Sequence, residues 1–170
     1  MIQLYNGDCL DVMGNLEEES IDMILCDLPY GTTRAKWDSL IPFESLWDHY
    51  KRIIKPKGAI VLFSSQPFTS ALLMSNPKMF RYEWIWKKES GTGFFNAKKQ
   101  PLRDHENILI FSKNPTCYFP QMQKGKPYKT KKGGDTSLYD TGYSNNIVTE
   151  NDGKRYPKTV QFFQRERKKY

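Results

Sequence analysis

The stretch Asp27-Leu28-Pro29-Tyr30 lies between a short apolar run and a polar turn. The run before it, 21–26, has the length and composition of a buried β-strand. Gly31-Thr32-Thr33 after it is typical of a turn or loop. An acidic side chain at the carboxyl end of a buried parallel strand lies where open α/β sheets bind ligands. The stretch therefore predicts a polar site at the end of this strand.

The same four residues suit a planar group that carries an amine. Pro29 favours an extended backbone at Leu28, so that the Leu28 carbonyl is held in one direction. This carbonyl and the Asp27 carboxylate offer two hydrogen-bond acceptors beside the flat ring of Tyr30. A nucleobase with an exocyclic amine has the matching shape and donors. The alternative is a strand that ends in a polar residue and a Pro-containing turn without a binding role.

The composition favours one domain with a substantial core. The chain has 170 residues, of which 38% are hydrophobic and 14% are aromatic, and this length is marginal for two domains. No apolar run is long enough to span a bilayer, and the start of the chain lacks the pattern of a secretory signal. Three cysteines without a CxxC spacing and two histidines indicate a reducing compartment, no disulfide scaffold and no metal site.

The charge is unevenly distributed along the chain. Residues 1–120 hold 14 Lys and Arg and 14 Asp and Glu, whereas residues 121–170 hold 12 and 5. The whole net charge of +7 therefore lies in the last fifty residues. Such asymmetry indicates a polyanionic partner. The alternative is a solvated, partly disordered tail.

Hydrophobic periodicity predicts strands and helices in alternation along the first part of the chain. The predicted strands are 1–5, 21–26, 59–63, 82–87 and 107–111, and the predicted helices are 9–16, 43–54 and 68–74. Asp8 is placed to cap the first helix, and Lys55-Pro56-Lys57-Gly58 is expected to end the second. The first strand, helix and strand would form a right-handed crossover. The glycine-bearing, basic and aromatic segment 91–99 is predicted to be a hairpin-like loop.

From Tyr118 onward the sequence becomes basic and rich in glycine and proline, with little apolar periodicity before 160–163. We therefore predict a division into 1–117 and a loop-rich basic arm, 118–170. Lysines interleaved with tyrosines suit contacts to phosphates and stacking on bases. Trp37 lies in a polar loop and is the one tryptophan for which a binding role competes with a core role.

Taken together, these segments resemble a DNA amino-methyltransferase of the β arrangement, a group of adenine-N6 and cytosine-N4 methylases of phages and restriction-modification systems. The matching segments are 6–10, 27–33 with Trp37 and Asp38, 57–63, 84–88 and 105–111. Leu28 stands where the family's Asp-Pro-Pro-Tyr motif has its first proline. Because that position acts through its backbone carbonyl, the change is expected to be tolerated.

The resemblance implies an α/β fold, with a partial Rossmann-like class I methyltransferase sheet, helices on both faces and the basic arm at 118–170. It implies site-specific transfer of a methyl group from S-adenosylmethionine to adenine N6 in double-stranded DNA, in the cytoplasm of a bacterial or phage-infected cell. Asp27, Leu28, Pro29 and Tyr30 would form the catalytic site around a flipped-out base, and Asp8 and Asp27 would bind the cofactor. The expected DNA contacts are Trp37, Lys98, Lys99, Lys124, Lys126, Lys129, Lys131 and Lys132.

The family's glycine-rich cofactor segment, of the form Asp-x-Phe-x-Gly-x-Gly, has no match here. The sequence thus resembles a methyltransferase that is truncated before its S-adenosylmethionine-binding segment, which a second polypeptide would then supply. The family's sheet order places two strands of that region between 1–5 and 22–26, so the first strand would pair directly with the second, lie at an open edge or be completed by another chain. The alternatives are a catalytically inactive DNA-binding remnant, a purely structural remnant, a cytosine-N4 methyltransferase and a protein-glutamine methyltransferase. Asp27 and the basic arm argue against the last of these.

Overall fold

The computed structural model describes residues 2–132 and 147–164. Chain contacts divide it into two units, one formed by Met1–Cys117 with Thr159–Tyr170 and the other by Tyr118–Lys158. The segment that follows the second unit therefore returns to the first. The different roles predicted for 1–117 and 118–170 stay a prediction.

Helices and strands alternate through the first unit, and short strands form the second. The helices are α1 (Cys9–Gly14), α2 (Phe43–Ile53) and α3 (Phe68–Ser75). The strands are β1 (Ile21–Asp27), β2 (Ile54–Ser64), β3 (Phe80–Thr92), β4 (Arg103–Phe111), β5 (Gln123–Lys124), β6 (Tyr128–Lys132), β7 (Ile147–Asn151), β8 (Lys154–Arg155) and β9 (Val160–Phe162).

The first unit is built on a mixed five-stranded sheet in the order β1-β2-β4-β3-β9. Strands β1 and β2 are parallel, with Asp27 opposite Phe63. Strand β4 runs antiparallel to both β2 and β3, and β9 is parallel to β3. Parallel strands joined through α2 confirm the predicted α/β class.

The core lies between this sheet and the helices. Helix α2 buries Leu46, Trp47 and Tyr50 on one face, and the Trp47 ring lies 4.9 Å from the ring of Phe111 on β4. Each buried side chain of this size stabilises the fold by about 1.5–3 kcal/mol. All three helices contribute to this one cluster. Met23 and Leu25 of β1 point to the other face and are 56% and 60% exposed, so the described helices lie on one face of the sheet, where both faces were expected to be covered.

The prediction of a strand at 1–5 is wrong. Residues 2–6 have no regular structure, and Ile2 and Leu4 are 90% and 92% exposed. A strand needs a partner for its backbone hydrogen bonds, and within residues 2–132 and 147–164 β1 pairs only with β2. The crossover predicted from 1–5 is therefore absent, and the parallel crossover runs from β1 through α2 to β2.

Helix α2 ends at Ile53, within one residue of the predicted end, and β2 begins directly after it, so that Lys55-Pro56-Lys57-Gly58 lies in the strand. The pairing with β1 jumps from Ile21 opposite Ile54 to Met23 opposite Ala59. Pro56 has no N–H to donate, so an irregularity in the ladder at this point is the expected consequence.

The antiparallel pair β3 and β4 confirms the predicted hairpin, although both strands are longer than the predicted 82–87 and 107–111. Their pairing extends to Thr92 opposite Arg103. Polar residues fill this extension, so no apolar alternation marks it in the sequence.

In the second unit, β5 pairs with β8 and β6 pairs with β7, both antiparallel. The Arg155 guanidinium lies 4.6 Å from the centre of the Tyr128 ring, within the range of a cation–π contact. The backbone N–H of Gly125 donates to the carbonyl of Gly153 at 2.6 Å. The predicted loop-rich arm is therefore organised by two short strand pairs.

Candidate active site

Asp27 is the last residue of β1, beside the end of the parallel strand β2. Leu28, directly after it, is 5% exposed and belongs to the hydrophobic core. The buried leucine fixes the chain where it leaves the sheet. The predicted polar site therefore begins at the carboxyl edge of a parallel pair.

Tyr30 is tied to Asp27 and to helix α3. Its hydroxyl donates a hydrogen bond of 2.6 Å to Asp27 Oδ1, and its ring stacks on Phe68 at 5.1 Å between ring centres with an angle of 28°. Burial raises the pKa of the Tyr30 hydroxyl above its usual range, and the hydrogen bond and charge of Asp27 raise the pKa further. Tyr30 thus stays protonated and presents a fixed aromatic ring beside a carboxylate.

Asp38 holds the loop that follows Tyr30. Its carboxylate accepts hydrogen bonds from the backbone N–H groups of Gly31 at 2.8 Å, Thr32 at 2.9 Å and Thr33 at 2.6 Å. The side chain is 7% exposed. Burial by itself would raise the Asp38 pKa, but hydrogen bonds from the Thr33 hydroxyl and from these three N–H groups outweigh burial and lower the pKa.

Gly31 makes this loop possible. Its φ angle is +66°, and a Cβ built there would lie 3.0 Å from Leu40 Cγ. A larger residue would be strained both by the backbone conformation and by this contact. The turn after Tyr30 therefore depends on a glycine and on a buried carboxylate.

A cavity of about 290 Å³ opens at this edge of the sheet. It is lined by Asp27, Leu28, Pro29, Tyr30, Thr32, Thr33, Trp37 and Asp38. This volume is close to the lower end of the range for ligand pockets, roughly 300 Å³, and so suits one small planar ring. The four residues predicted to be catalytic line one cavity, together with Trp37.

Asp8 lies at the start of α1, where it caps the helix. Its Oδ1 accepts a hydrogen bond of 2.8 Å from the N–H of Leu10, as the capping alternative predicts. The cofactor role of Asp8 stays a prediction.

The residues predicted to contact DNA fall into three groups. Trp37, which is 75% exposed, lines the cavity. Lys98 and Lys99 follow the short helical turn Phe94–Asn96 between β3 and β4. The others are all in the second unit, with Lys124 in β5, Lys126 after it, and Lys129, Lys131 and Lys132 in β6. Lys129 forms an ion pair of 3.3 Å with Glu150.

The contacts of three residues in the site region were not predicted from the sequence. Asp38 binds backbone groups, Phe68 supports the Tyr30 ring, and Arg103 donates to Ser65 Oγ at 2.8 Å. Only Asp38 had a signal, since a carboxylate a few residues after a Gly-Thr-Thr turn is a natural acceptor for the N–H groups of that turn.

No cluster of three or more His, Cys, Asp or Glu side chains suited to a metal ion occurs in the part of the chain that the structure describes. Among the same residues, no helix is long and apolar enough to cross a membrane.

Comparison with known proteins identifies one family. The model of the N6/N4 family, described as DNA methylase, matches residues 21–169. Type II methyltransferase M1.MboII of Moraxella bovis is 29% identical over 140 residues, which cover 75% of this chain and 52% of that protein. Type II methyltransferase M.HpaI of Haemophilus parainfluenzae is 30% identical over 126 residues, which cover 66% of this chain and 39% of that protein. The chain thus spans about half the length, or less, of these curated relatives.

The solved structures that share the fold include the following two. PvuII DNA methyltransferase (cytosine-N4-specific) superposes with a TM-score of 0.60 at 14% identity, over 98% of this chain and 58% of that one. The structure of an M1.HpyAVI–SAM complex superposes with a TM-score of 0.51 at 20% identity, over 75% of this chain and 64% of that one. These likenesses confirm the class I methyltransferase fold. None of the comparisons supports the expected second polypeptide.

Proposed function

Because the chain belongs to the N6/N4 DNA methylase family, we propose that it carries the target-amine part of an S-adenosylmethionine-dependent DNA methyltransferase site. The observation that supports this most strongly is the cavity at the end of β1, which brings together Asp27, Leu28, Tyr30 and Trp37. Adenine N6 is the proposed acceptor, in double-stranded DNA.

Asp27 and the Leu28 carbonyl are the proposed acceptors for the two hydrogens of the target amine. The amine of a free base is a weak nucleophile because its lone pair is delocalised into the ring. Two fixed acceptors would favour a pyramidal nitrogen and stabilise the positive charge that develops on it as the N–C bond forms and the methyl–sulfur bond breaks with its electron pair left on sulfur. The nitrogen would then lose a proton to Asp27 or to water. Preorganised groups of this kind commonly contribute a few kcal/mol to transition-state stabilisation.

Asp27 can accept this amine without losing its contact with Tyr30. An ionised carboxylate has about four lone-pair sites, and the Tyr30 hydroxyl uses one, at Oδ1. The hydroxyl also fixes the direction of the carboxylate, which limits the reorganisation needed when the amine arrives.

Tyr30 would stack on the flipped-out base. One contact of its ring, with Phe68, is already made within the protein, so the ring is held rigidly before the base binds. A base that leaves the duplex loses its stacking, and a prepositioned aromatic ring replaces part of it. Trp37 adds a second, mostly exposed ring at the mouth of the cavity.

S-adenosylmethionine would supply an activated methyl group on a sulfonium. Asp8 and Asp27 would hold the cofactor, because carboxylates suit its amino, hydroxyl and sulfonium groups. Asp8 Oδ1 is engaged by the N–H of Leu10, and the carboxylate keeps further acceptor capacity. The part of the chain that the structure describes has no glycine-rich turn from a strand into a helix, so these two carboxylates are the proposed cofactor contacts here.

Adenine is proposed over cytosine because Asp27 occupies the first motif position, where cytosine-N4 enzymes of the family resembled here more often have serine. Lys98 and Lys99 would contact phosphates near the cavity. In the second unit, the proposed phosphate contacts are Lys124, Lys126 and the lysines of β6.

The test is transfer of a labelled methyl group to DNA, followed by digestion to nucleosides. We expect the label in N6-methyladenine. Asp27→Ala should reduce transfer by about 100-fold or more, with DNA affinity unchanged within a few-fold. Asp22→Ala is the matched control, because Asp22 lies on the same strand, its side chain is 82% exposed and it pairs with Lys55 at the surface.

Label in N4-methylcytosine would show that the base is assigned wrongly. DNA that is bound but never labelled would support the alternative of an inactive DNA-binding remnant. Near-normal transfer by Asp27→Ala would overturn the role of Asp27.

A further inference from the structure

The β3–β4 hairpin extends beyond the edge of the sheet that carries the cavity. Asp27 lies level with Phe63 of β2, which pairs with Ile108 of β4. From Ile108, β4 continues for five residues to Arg103, opposite Thr92. At about 3.4 Å per residue this is roughly 17 Å beyond the level of Asp27. Since β4 is two strands from β1 in the sheet, the sideways offset is about 10 Å.

The tip of this hairpin is held by a series of short contacts. Gly93 adopts a φ angle of +92°, and the N–H groups of Asn96 and Lys99 donate to the carbonyls of Gly93 and Asn96 at 2.9 Å and 2.8 Å. At its base, the Arg103 guanidinium donates to Ser65 Oγ at 2.8 Å, which ties the hairpin to the loop after β2. The tip therefore stands in a defined position relative to the cavity.

Two adjacent aromatic side chains project from this tip into solvent. Phe94 is 73% exposed and Phe95 is 105% exposed. Large apolar side chains are ordinarily buried because burial stabilises them, so a pair of them exposed on a rigid turn indicates a surface that binds something.

The charge around the two rings indicates the kind of partner. The segment Gly93–Arg103 contains Lys98, Lys99 and Arg103 and no acidic residue. A partner that offers flat apolar faces within a polyanionic frame matches this surface, and duplex DNA has both features.

We propose that Phe94 and Phe95 form a wedge that enters the base stack of duplex DNA at the position vacated by the target base. This inference rests on the proposed function, since it assumes that a base leaves the duplex for the cavity. Apolar side chains inserted between base steps stabilise unstacked DNA, and Lys98 and Lys99 hold the flanking phosphates.

The test compares two duplexes of one sequence, one intact and one with a single abasic site, by fluorescence anisotropy with the whole chain. Wild type should bind the abasic duplex about tenfold more tightly, because one aromatic–base stacking contact is worth a factor of this size. The Phe94→Ala/Phe95→Ala variant should lose this preference while its affinity for the intact duplex changes less than about threefold.

Met74→Ala is the matched control, since Met74 is 69% exposed on α3 and lies toward the other end of the sheet. It should keep the preference. A circular dichroism melt confirms that each variant is folded.

The remaining outcomes separate the wedge from the proposed function. A wild type that binds neither duplex contradicts the proposed function itself. If the double variant retains the preference for the abasic duplex, the wedge is overturned and the proposed function is not. An equal loss of affinity for both duplexes also overturns the wedge, because it indicates a general DNA contact. A change in oligomeric state by sedimentation with unchanged DNA binding assigns the rings to a protein contact and also overturns the wedge.

Discussion

Two carboxylates at the end of β1 have opposite tasks. Asp27 receives one hydrogen bond, from Tyr30, and keeps acceptor capacity for a ligand, whereas Asp38 is surrounded by three backbone N–H donors. A buried carboxylate with that many donors is a structural element of the loop. Asp38 therefore positions the residues around the cavity, and Asp27 is free to take part in chemistry.

The lowered pKa of Asp38 predicts how the loop responds to acid. Its pKa is below the usual aspartate value, about 3.9, in the folded protein. The ionised form thus stabilises the loop fully above that usual value, and the stabilisation is lost as the pH falls through the lower folded-state pKa. NMR signals of the Gly31, Thr32 and Thr33 amides should stay unchanged from neutral pH to about pH 4 and shift only below it.

Asp38→Asn should move the signals of these three backbone amides at neutral pH and increase their hydrogen exchange. The reason is that the asparagine NH₂ group, itself a donor, would replace a carboxylate oxygen that accepts from the backbone N–H groups. Asp48→Asn on the exposed face of α2 is the control and should leave them in place. Unchanged amides in Asp38→Asn would show that the loop is held by other contacts.

Helices and strands could be predicted from the sequence wherever the buried residues recur at the spacing of a helix or a strand. Strand β1, helix α2 and the middle of β2 have apolar residues at the spacing of a strand or a helix, and each was predicted within a few residues of its observed bounds. The strand expected at 1–5 failed because its formation depends on a partner strand and not on its own composition. The hairpin extension was missed because its residues are polar, and its geometry depends on cross-strand pairing.

In the same way, the residues of the site that adjoin in sequence could be predicted, whereas those that meet only through packing could not. Asp27 to Tyr30 could be found because a strand end, a proline and an aromatic ring adjoin in sequence. Phe68 could not, since it reaches Tyr30 only through the packing of α3. Asp38 was noticed only as part of a resemblance, although a carboxylate a few residues after a Gly-Thr-Thr turn is a natural acceptor for the N–H groups of that turn.

Over the whole molecule, residues 1–120 carry no net charge and residues 121–170 carry all of the +7. The second unit, Tyr118–Lys158, contains eight Lys or Arg and four Asp or Glu. A surface that contacts DNA through phosphates releases counterions, so its affinity falls with salt by about 0.9 log units per contact for each tenfold rise in salt concentration.

Neutralising Lys124, Lys126 and Lys131 to glutamine should therefore reduce the slope of log affinity against log salt by about 3. Substitution is preferable to deletion of 121–170, since that deletion would also remove β9 from the first unit's sheet. Lys51, Lys57 and Lys78 provide a control with the same change in charge toward the other end of the sheet. An equal reduction in both triple variants would mean that net charge, and not the second unit, determines binding.

An NMR titration of the ¹⁵N-labelled chain with adenosine and with N6,N6-dimethyladenosine tests directly whether this edge of the sheet binds the target amine. The two nucleosides share a ring, but only adenosine has amine hydrogens for Asp27 and the Leu28 carbonyl. Adenosine should shift the amide signals of Leu28 and Tyr30 and the Trp37 indole signal, and it should bind at least about tenfold more tightly than the dimethyl compound. Asp27→Ala should remove this difference, and Asp22→Ala should preserve it. Equal affinity for the two nucleosides, or shifts confined to residues outside the cavity, would contradict the assignment of this edge of the sheet as the target-amine site.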